Sequence, residues 1–381
     1  MRGSTVESID FSKTEKTILA KSKVRSLKTV VAGAGALGNE VVKALGLLGC
    51  GEVLIVDPDV IEPHNLTRSV LFRTEEAVGQ SKAVSLAAAC RHYFPDTLWT
   101  AMPMEIADVG LQRIAESDMI FSCVDSELAR LEIAYLGTKL DVPVCDAGMG
   151  VEDYATVRVS FFPGRRSASF CCALPPARRR ELLTMWDSRS FPCWAEAGPR
   201  AAWPGTPTSA AIAGSMQVET GLRLLWELRR GLRPAAQSIE MALGTAPHLA
   251  GFRIPLGEGC PFHWEMPPDS VLQAASSDIA VRELLGLAGR RRSGDPVLVL
   301  DWPLCVVARC QMCGRRWPVM RRLAVFRRDG VCPGCLSKRL VIERSVHCID
   351  RGSDLAGHSL RALGMPDRHL YTIEFLRSTV P

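Results

Sequence analysis

Short apolar runs alternate with longer amphipathic stretches along the first 150 residues of the chain. Residues 28–32, 53–56, 98–102, 119–123 and 142–145 have the length and apolar character of buried strands. Between them, 36–48, 81–93, 109–116 and 126–140 space their apolar residues as helices do. The first helix is expected to end at Gly49 and Gly51, and the second before Pro95. Strands separated by helical segments predict an α/β fold, a Rossmann-like, doubly wound parallel sheet covered on both faces. Ligands of such sheets lie beyond the carboxyl ends of the strands, where Gly33, Asp57 and Asp125 all fall.

The pattern changes after Gly150. Residues 156–162 read as another strand, and 163–207, rich in Pro, Arg and Cys with one short helical stretch, as a long crossing loop. A helix over 209–230 opens on small residues that permit close packing. The stretch 267–277 marks the expected boundary between a body, 1–270, and an appendage, 271–381, that opens with a helix over 278–287.

Composition narrows the class. With 47% hydrophobic and 23% charged residues the chain is an ordinary globular protein. No apolar run approaches the ~20 residues that span a bilayer, and residues 1–28 lack the apolar centre of a signal peptide. The expectation is cytoplasmic residence without a membrane partner. Net charge is +5, but residues 276–381 carry 18 Lys and Arg against 10 Asp and Glu. A solvated Arg-rich surface is the expected reading, and nucleic acid is not the expected partner. A docking face for an acidic partner or nucleic acid is the sharper alternative.

Fourteen cysteines in a long chain without a signal peptide point to metal binding or thiol chemistry rather than disulfides. Cys310-Gln-Met-Cys313 and Cys332-Pro-Gly-Cys335, with 18 residues between them, supply four thiolates for a closed, structural tetrahedral zinc site in a zinc-ribbon-like appendage. Cys50, Cys90, Cys123 and Cys145 read as packing residues of the body. Cys305 and Cys348 read either as packing residues or as spare ligands.

The densest chemistry lies between residues 33 and 82. Gly33-Ala-Gly35-Ala-Leu-Gly38 lets a backbone turn approach phosphate, and Asp57, after the next strand, suits ribose hydroxyls. Those features alone would also fit a nicotinamide enzyme. Arg68 and Lys82 shift the balance, because a triphosphate brings several charges to neutralise. The constellation predicts ATP. His64 reads as solvent-facing, and Arg73 either as a phosphate contact or as a surface partner of Glu75 or Glu76.

From Val30-Val-Ala-Gly-Ala-Gly-Ala-Leu-Gly38 through Asp57-Pro-Asp-Val-Ile-Glu-Pro-His-Asn-Leu-Thr-Arg68, Gly79-Gln-Ser-Lys82 and Cys123-Val-Asp125, the chain resembles the ubiquitin-activating enzyme superfamily. That group includes bacterial ubiquitin-like activating enzymes and the ThiF and MoeB adenylyltransferases of thiamine and molybdopterin synthesis. The resemblance implies that Asp57 holds ribose, that Asn65, Arg68 and Lys82 hold the triphosphate, and that Asp125 holds magnesium. It implies adenylation of the C-terminal glycine of a small ubiquitin-fold protein. Cys193, in Ser190-Phe-Pro-Cys193-Trp, resembles the thiol that takes the activated acyl group before a conjugating enzyme receives it; a buried apolar cysteine is the plainer reading. Relatives often hold zinc with two Cys-x-x-Cys pairs. Here Cys171-Cys172 and Cys260-Pro-Phe-His263 stand in their place, either as a second zinc site or as a packed, metal-free hairpin. Many relatives are homodimers that donate an N-terminal arginine segment across the interface, and residues 1–27 carry no such segment.

An activating enzyme for conjugation is therefore the leading expectation, with a sulfur-carrier adenylyltransferase as the alternative within enzymes. A non-catalytic scaffold for a ubiquitin-fold protein has no use for Arg68, Lys82 and Asp125 around an empty pocket, and a nicotinamide reductase has none for the two cations.

Overall fold

The computed structural model describes residues 16–17, 19–72, 75–150, 156–187, 205–244, 246–263, 269–290, 292 and 294–376. They fall into two compact units. The first draws on the described residues of Met1–Ile106, Ile114–Ala173 and Trp203–His263. Its strands are β1 (Lys28–Ala32), β2 (Glu52–Val56), β3 (Leu98–Met102), β4 (Met119–Ser122), β5 (Val144–Met149), β6 (Thr156–Phe162), β7 (Gln237–Ala242) and β8 (His248–Arg253). They form one sheet in the order β3-β2-β1-β4-β5-β6-β7-β8.

Strands β1 to β5 pair in parallel. The central strands are largely apolar because both faces are covered, and Val31, Val53, Ile55, Phe121 and Cys145 are fully buried, while β3, at the edge, buries only Trp99. The helix Ala36–Leu48 ends where Gly49 turns left-handed at φ +70. Against it packs the helix Pro207–Arg229, which Thr206 caps and Pro207 opens. Its small residues allow the close approach that the sequence predicts. A Cβ on Gly214 would stand 2.6 Å from Glu40 Cβ, and one on Gly221 3.0 Å from Met119 Sδ.

Two expectations are corrected. The sheet is mixed, because β6, β7 and β8 continue it in antiparallel pairing. Only residues 150–155 separate β5 from β6, too few for the crossover of a dozen or more that a parallel pair needs. The expected crossing loop also contains more helix than its composition suggested, at Phe170–Ala173 and Pro176–Asp187. Proline at the helix start followed by Arg-Arg-Arg-Glu-Leu-Leu favours the second of these. Cys193 and Arg73 lie outside the described residues.

The second unit draws on the described residues of Ala107–Arg113, Leu174–Ala202 and Trp264–Pro381. It contains β9 (Ser270–Ala275), β10 (Asp295–Cys310), β11 (Arg316–Arg322), β12 (Leu340–Ile349) and β13 (His369–Leu376). The long β10 organises this antiparallel sheet, pairing with β13 near its start, with β11 near its end, and with β12. Leu298, Leu304, Tyr371 and Ile373 meet Val281, Leu284 and Leu285 of the helix Val281–Gly289 in its core. A smaller cluster of Cys305, Ala308, Leu323 and Phe326 lies beneath the cysteine-bearing end. Among the described residues no helix is long and apolar enough to cross a membrane.

Candidate functional site

Strand β1 runs straight into Gly33, whose φ of +99 only glycine adopts without strain. A Cβ there would stand 2.5 Å from the Cys123 carbonyl oxygen, and one on Gly38 2.0 Å from the Gly33 carbonyl oxygen. Both glycines are needed by the turn itself. Gly35 differs, because among the described residues nothing lies within 4 Å of a Cβ built on it. It is also the N-cap of the helix Ala36–Leu48 and offers no side chain to that helix's first N–H groups. The turn therefore presents backbone donors to open space, as an anion site requires.

Asp57 follows β2 and is 6% exposed. Its Oδ2 accepts the Ala34 N–H at 2.6 Å and its Oδ1 the Asp59 N–H at 2.8 Å. Burial pushes the carboxyl up from the ordinary carboxylate range, opposed by the Ala34 N–H and the Lys82 ammonium. Lys82 opens the helix Lys82–Tyr93 and pairs with Asp59 at 3.1 Å, so Asp59 anchors the ammonium on the same rim. Asn65 is buried in the turn Pro63–Thr67, where its Oδ1 accepts the Glu62 N–H at 2.9 Å. Arg68 is partly exposed at the end of that turn. Asp125 is exposed between β4 and the helix Glu127–Leu140, two residues beyond the Cys123 carbonyl that abuts Gly33. His64 faces solvent beside Glu62.

Three residues that the sequence reading passed over hold this rim together. Asn39 is fully buried; its amide donates to the Ala34 and Gly35 carbonyls at 3.1 and 3.0 Å, and its Oδ1 accepts the Leu71 N–H at 2.9 Å. Gln217 is equally buried and donates to the carbonyls of Ser122, at the end of β4, and Cys145 in the neighbouring β5. Arg130 binds Asp146 at 2.5 Å and donates to the carbonyls of Val124 and Ala147, while Ser122 Oγ donates to Asp146 at 2.6 Å. Burial pushes the Asp146 carboxyl up, and Arg130 opposes it. A lone amide on the buried face of an apolar helix was the available signal for Asn39 and Gln217.

The thiols form two groups. Ligand atoms of Cys310, Cys313, Cys332 and Cys335 lie within 4.8 Å of one another, and so do those of Cys172, Cys260 and His263. In the first group the Cys313 N–H lowers the Cys310 thiol. Burial pushes Cys332 up, but the N–H groups of Cys335 and Gly334 and the nearby thiols outweigh it and bring it to about 6. The Ser337 N–H lowers Cys335, yet hydrogen bonding with Cys310 and burial raise it to about 12. In the second group Cys172 Sγ stands 2.8 Å from His263 Nε2. Hydrogen bonding with Cys260, then burial, raise the Cys172 thiol to about 12, and the Cys171 thiol raises Cys260. Cys50, Cys90, Cys123 and Cys145 are buried in the core of the first unit, Cys305 is buried in the smaller cluster of the second, and Cys348 is exposed.

The ThiF family's sequence profile matches residues 10–248. A ubiquitin-activating enzyme E1-like protein of Saccharomyces cerevisiae is 30% identical over 173 residues, 45% of this chain and 27% of its own length. The SUMO-activating enzyme subunit 2 of Dictyostelium discoideum is 30% identical over 128 residues, 33% of this chain and 19% of its own length. The adenylyltransferase and sulfurtransferase UBA4 of Meyerozyma guilliermondii is 29% identical over 143 residues, 37% of this chain and 34% of its own length. The chain thus matches about a third or less of the length of each.

Proposed function

We propose, from the premise that this chain belongs to the ThiF family of E1-like adenylyltransferases, that it adenylates the C-terminal glycine of a small ubiquitin-fold protein. The observation that carries this is Gly35, open at the uncapped start of a helix, with Asp57 bonded to the neighbouring Ala34 N–H and Lys82 held on the same rim by Asp59. A phosphate chain meets the backbone donors there without displacing any side chain. Asp57 would accept from ribose hydroxyls with the lone pairs that the Ala34 and Asp59 N–H groups leave over. Asn65, Arg68 and Lys82 would hold the triphosphate.

In the reaction a carboxylate oxygen of the terminal glycine attacks the α-phosphorus of ATP, and the bond to pyrophosphate breaks. Arg68 and Lys82 offset the charge that builds on the phosphate oxygens. The exposed Asp125 carboxylate suits magnesium, a hard cation that takes oxygen ligands and neutralises phosphate charge when bound. Cys193 would then accept the acyl group as a thioester, with AMP leaving, before transfer to a conjugating enzyme. Four thiols within reach of one ion, two of them lowered by backbone N–H groups, fit a structural zinc in the tail. Cys172, Cys260 and His263 offer a second set one ligand short of four, and the expected fourth ligand, Cys171, is not brought within the same reach. The sulfurtransferase among the relatives favours a second reading, in which the adenylate passes to sulfur chemistry.

The test is ATP–pyrophosphate exchange that depends on a ubiquitin-fold protein ending in glycine. Asp125→Ala should lower exchange by ~10²–10³ while the chain stays folded. Undiminished exchange in that variant would remove Asp125 from the site. Wild-type protein inert toward every such partner, yet binding ATP, would reduce the chain to a scaffold.

A further inference from the structure

The two turns that carry the tail cysteines are built alike. The Cys310 N–H donates to the Arg315 carbonyl and the Cys332 N–H to the Ser337 carbonyl, both at 2.9 Å. The Gly314 N–H closes on the Cys310 carbonyl at 3.0 Å, and the Leu336 N–H on the Cys332 carbonyl at 2.9 Å. The Met312 N–H points at Cys310 Sγ, and the Gly334 N–H at Cys332 Sγ. In both turns the residue after the second cysteine is left-handed, with φ +72 at Gly314 and +58 at Leu336. Glycine adopts that conformation freely and leucine does not. Leu336 is also 75% exposed, and Met312, in the other turn, 61%. Leucine here strains the backbone and leaves an apolar side chain in water, and neither serves the fold.

The surroundings are basic. Residues 309–339 carry nine Lys and Arg against one Asp. Arg309 and Arg316 pair with Glu343, Arg322 with Asp108 and Arg328 with Asp329, so Arg315, Arg321, Arg327, Lys338 and Arg339 supply the surplus. Arg315 and Arg339 are exposed beside the apolar tips. A Cβ on Gly334 would meet Arg315 Cδ at 3.2 Å, and Arg339 Nη1 stands 3.8 Å from Met312 Sδ. Each turn is thus bordered by a cation that follows the other.

We propose that this face docks an acidic, amphipathic segment of a partner protein, with apolar side chains on Leu336 and Met312 and carboxylates on Arg315 and Arg339. Charge complementarity selects an acidic partner, and the two aliphatic tips select protein over nucleic acid. A nucleic acid would use the cations but prefers aromatic platforms for its bases. The proposal does not rest on adenylation.

The experiment uses the full chain and three fluorescent probes of equal charge. They are a helical peptide with leucines on one face and glutamates on the other, an all-glutamate peptide, and single-stranded DNA. The amphipathic peptide should bind about tenfold tighter than the other two, within what burial of one leucine side chain provides. Leu336→Gly should bring it down to the all-glutamate level while urea unfolding of the tail shifts upward or not at all, because the strain is relieved. Arg315→Glu with Arg339→Glu should abolish binding. Equal binding of both peptides, tightest binding of DNA, no binding at all, or full affinity in Leu336→Gly would each overturn the proposal.

Discussion

Alanine at each of the three glycines of the phosphate turn separates folding from ligand binding. Gly33→Ala forces a side chain onto φ +99 and sets its Cβ 2.5 Å from a backbone oxygen, so it should destabilise by ~1–3 kcal/mol or more. Gly38→Ala sets a Cβ 2.0 Å from the Gly33 carbonyl oxygen, an overpacking that costs ~1–3 kcal/mol. Gly35 sits at φ −73 and ψ −159, which alanine adopts, and its Cβ would meet nothing within 4 Å among the described residues. Gly35→Ala should therefore change stability by less than about 1 kcal/mol, because the ~0.4–1 kcal/mol gained through the unfolded chain opposes the preference of an N-cap for glycine over alanine. Its methyl would nonetheless hold a phosphate away from the first helix N–H groups. Losing one charge-assisted hydrogen bond, worth ~1.5–3 kcal/mol, predicts ATP binding weaker by roughly 10- to 100-fold. Urea unfolding followed by circular dichroism gives the stabilities, and calorimetric titration with ATP and magnesium gives the affinities. Full ATP affinity in Gly35→Ala would place the phosphates elsewhere, and a loss of stability there as large as in Gly33→Ala or Gly38→Ala would refute the open-space argument.

Other outcomes follow from the thiols. Elemental analysis should find one zinc per chain from the Cys310, Cys313, Cys332 and Cys335 cluster, and two if Cys171, Cys172, Cys260 and His263 also bind; chelation should make the tail protease-sensitive before the parallel sheet, and metal-free native protein would end the idea. Cys193→Ala should still exchange pyrophosphate but form no reductant-sensitive adduct with the partner; an adduct that persists there and vanishes in Cys171→Ala or Cys172→Ala would move the acceptor to that residue. Burial pushes the Cys50 thiol from 9.0 up to about 11, so the folded chain keeps a proton that the unfolded chain releases. That contribution to stability is complete below pH 9 and lost as pH rises towards about 11, so Cys50→Ala should reduce the alkaline slope of urea midpoints. An unchanged slope would assign the alkaline loss to other groups.

The parallel half of the first sheet is legible because its strands are short, mostly apolar runs separated by helices with their own stops. Strand, glycine turn and helix follow one another at residues 28–48 with no competing reading, and the structure gives Lys28–Ala32 and Ala36–Leu48. Strands β7 and β8 were not read, and for β8 the reason is plain: every residue of His248–Arg253 is exposed, so no alternation of apolar and polar positions marks it. The tail showed its cysteine spacing but not its sheet. Sixteen residues of β10 serve three partners in turn, and its bulges at Cys305 and Val307 break the two-residue period along the strand.

The rim of the candidate site shows a different kind of limit. Sequence names residue types suited to chemistry, but it does not say which are already engaged in holding the backbone. Asp57 spends one interaction of each oxygen on a main-chain N–H, and Asn65 caps its own turn. Removing either would disturb the geometry around Gly35 as well as any contact to nucleotide, so loss of activity in those variants cannot separate structure from chemistry. Asp125 is exposed and Gly35 abuts open space, so a change at either reports on the ligand. Conversely Asn39, Gln217 and Arg130 have no role in the proposed reaction, yet they fix the carbonyls of Ala34, Gly35, Ser122, Val124, Cys145 and Ala147 around the rim. Their bonds join residues up to 95 positions apart, a proximity that local pattern does not encode. A polar side chain on an otherwise apolar helix face is the trace such a residue leaves in the sequence, and only the fold reveals which backbone it holds.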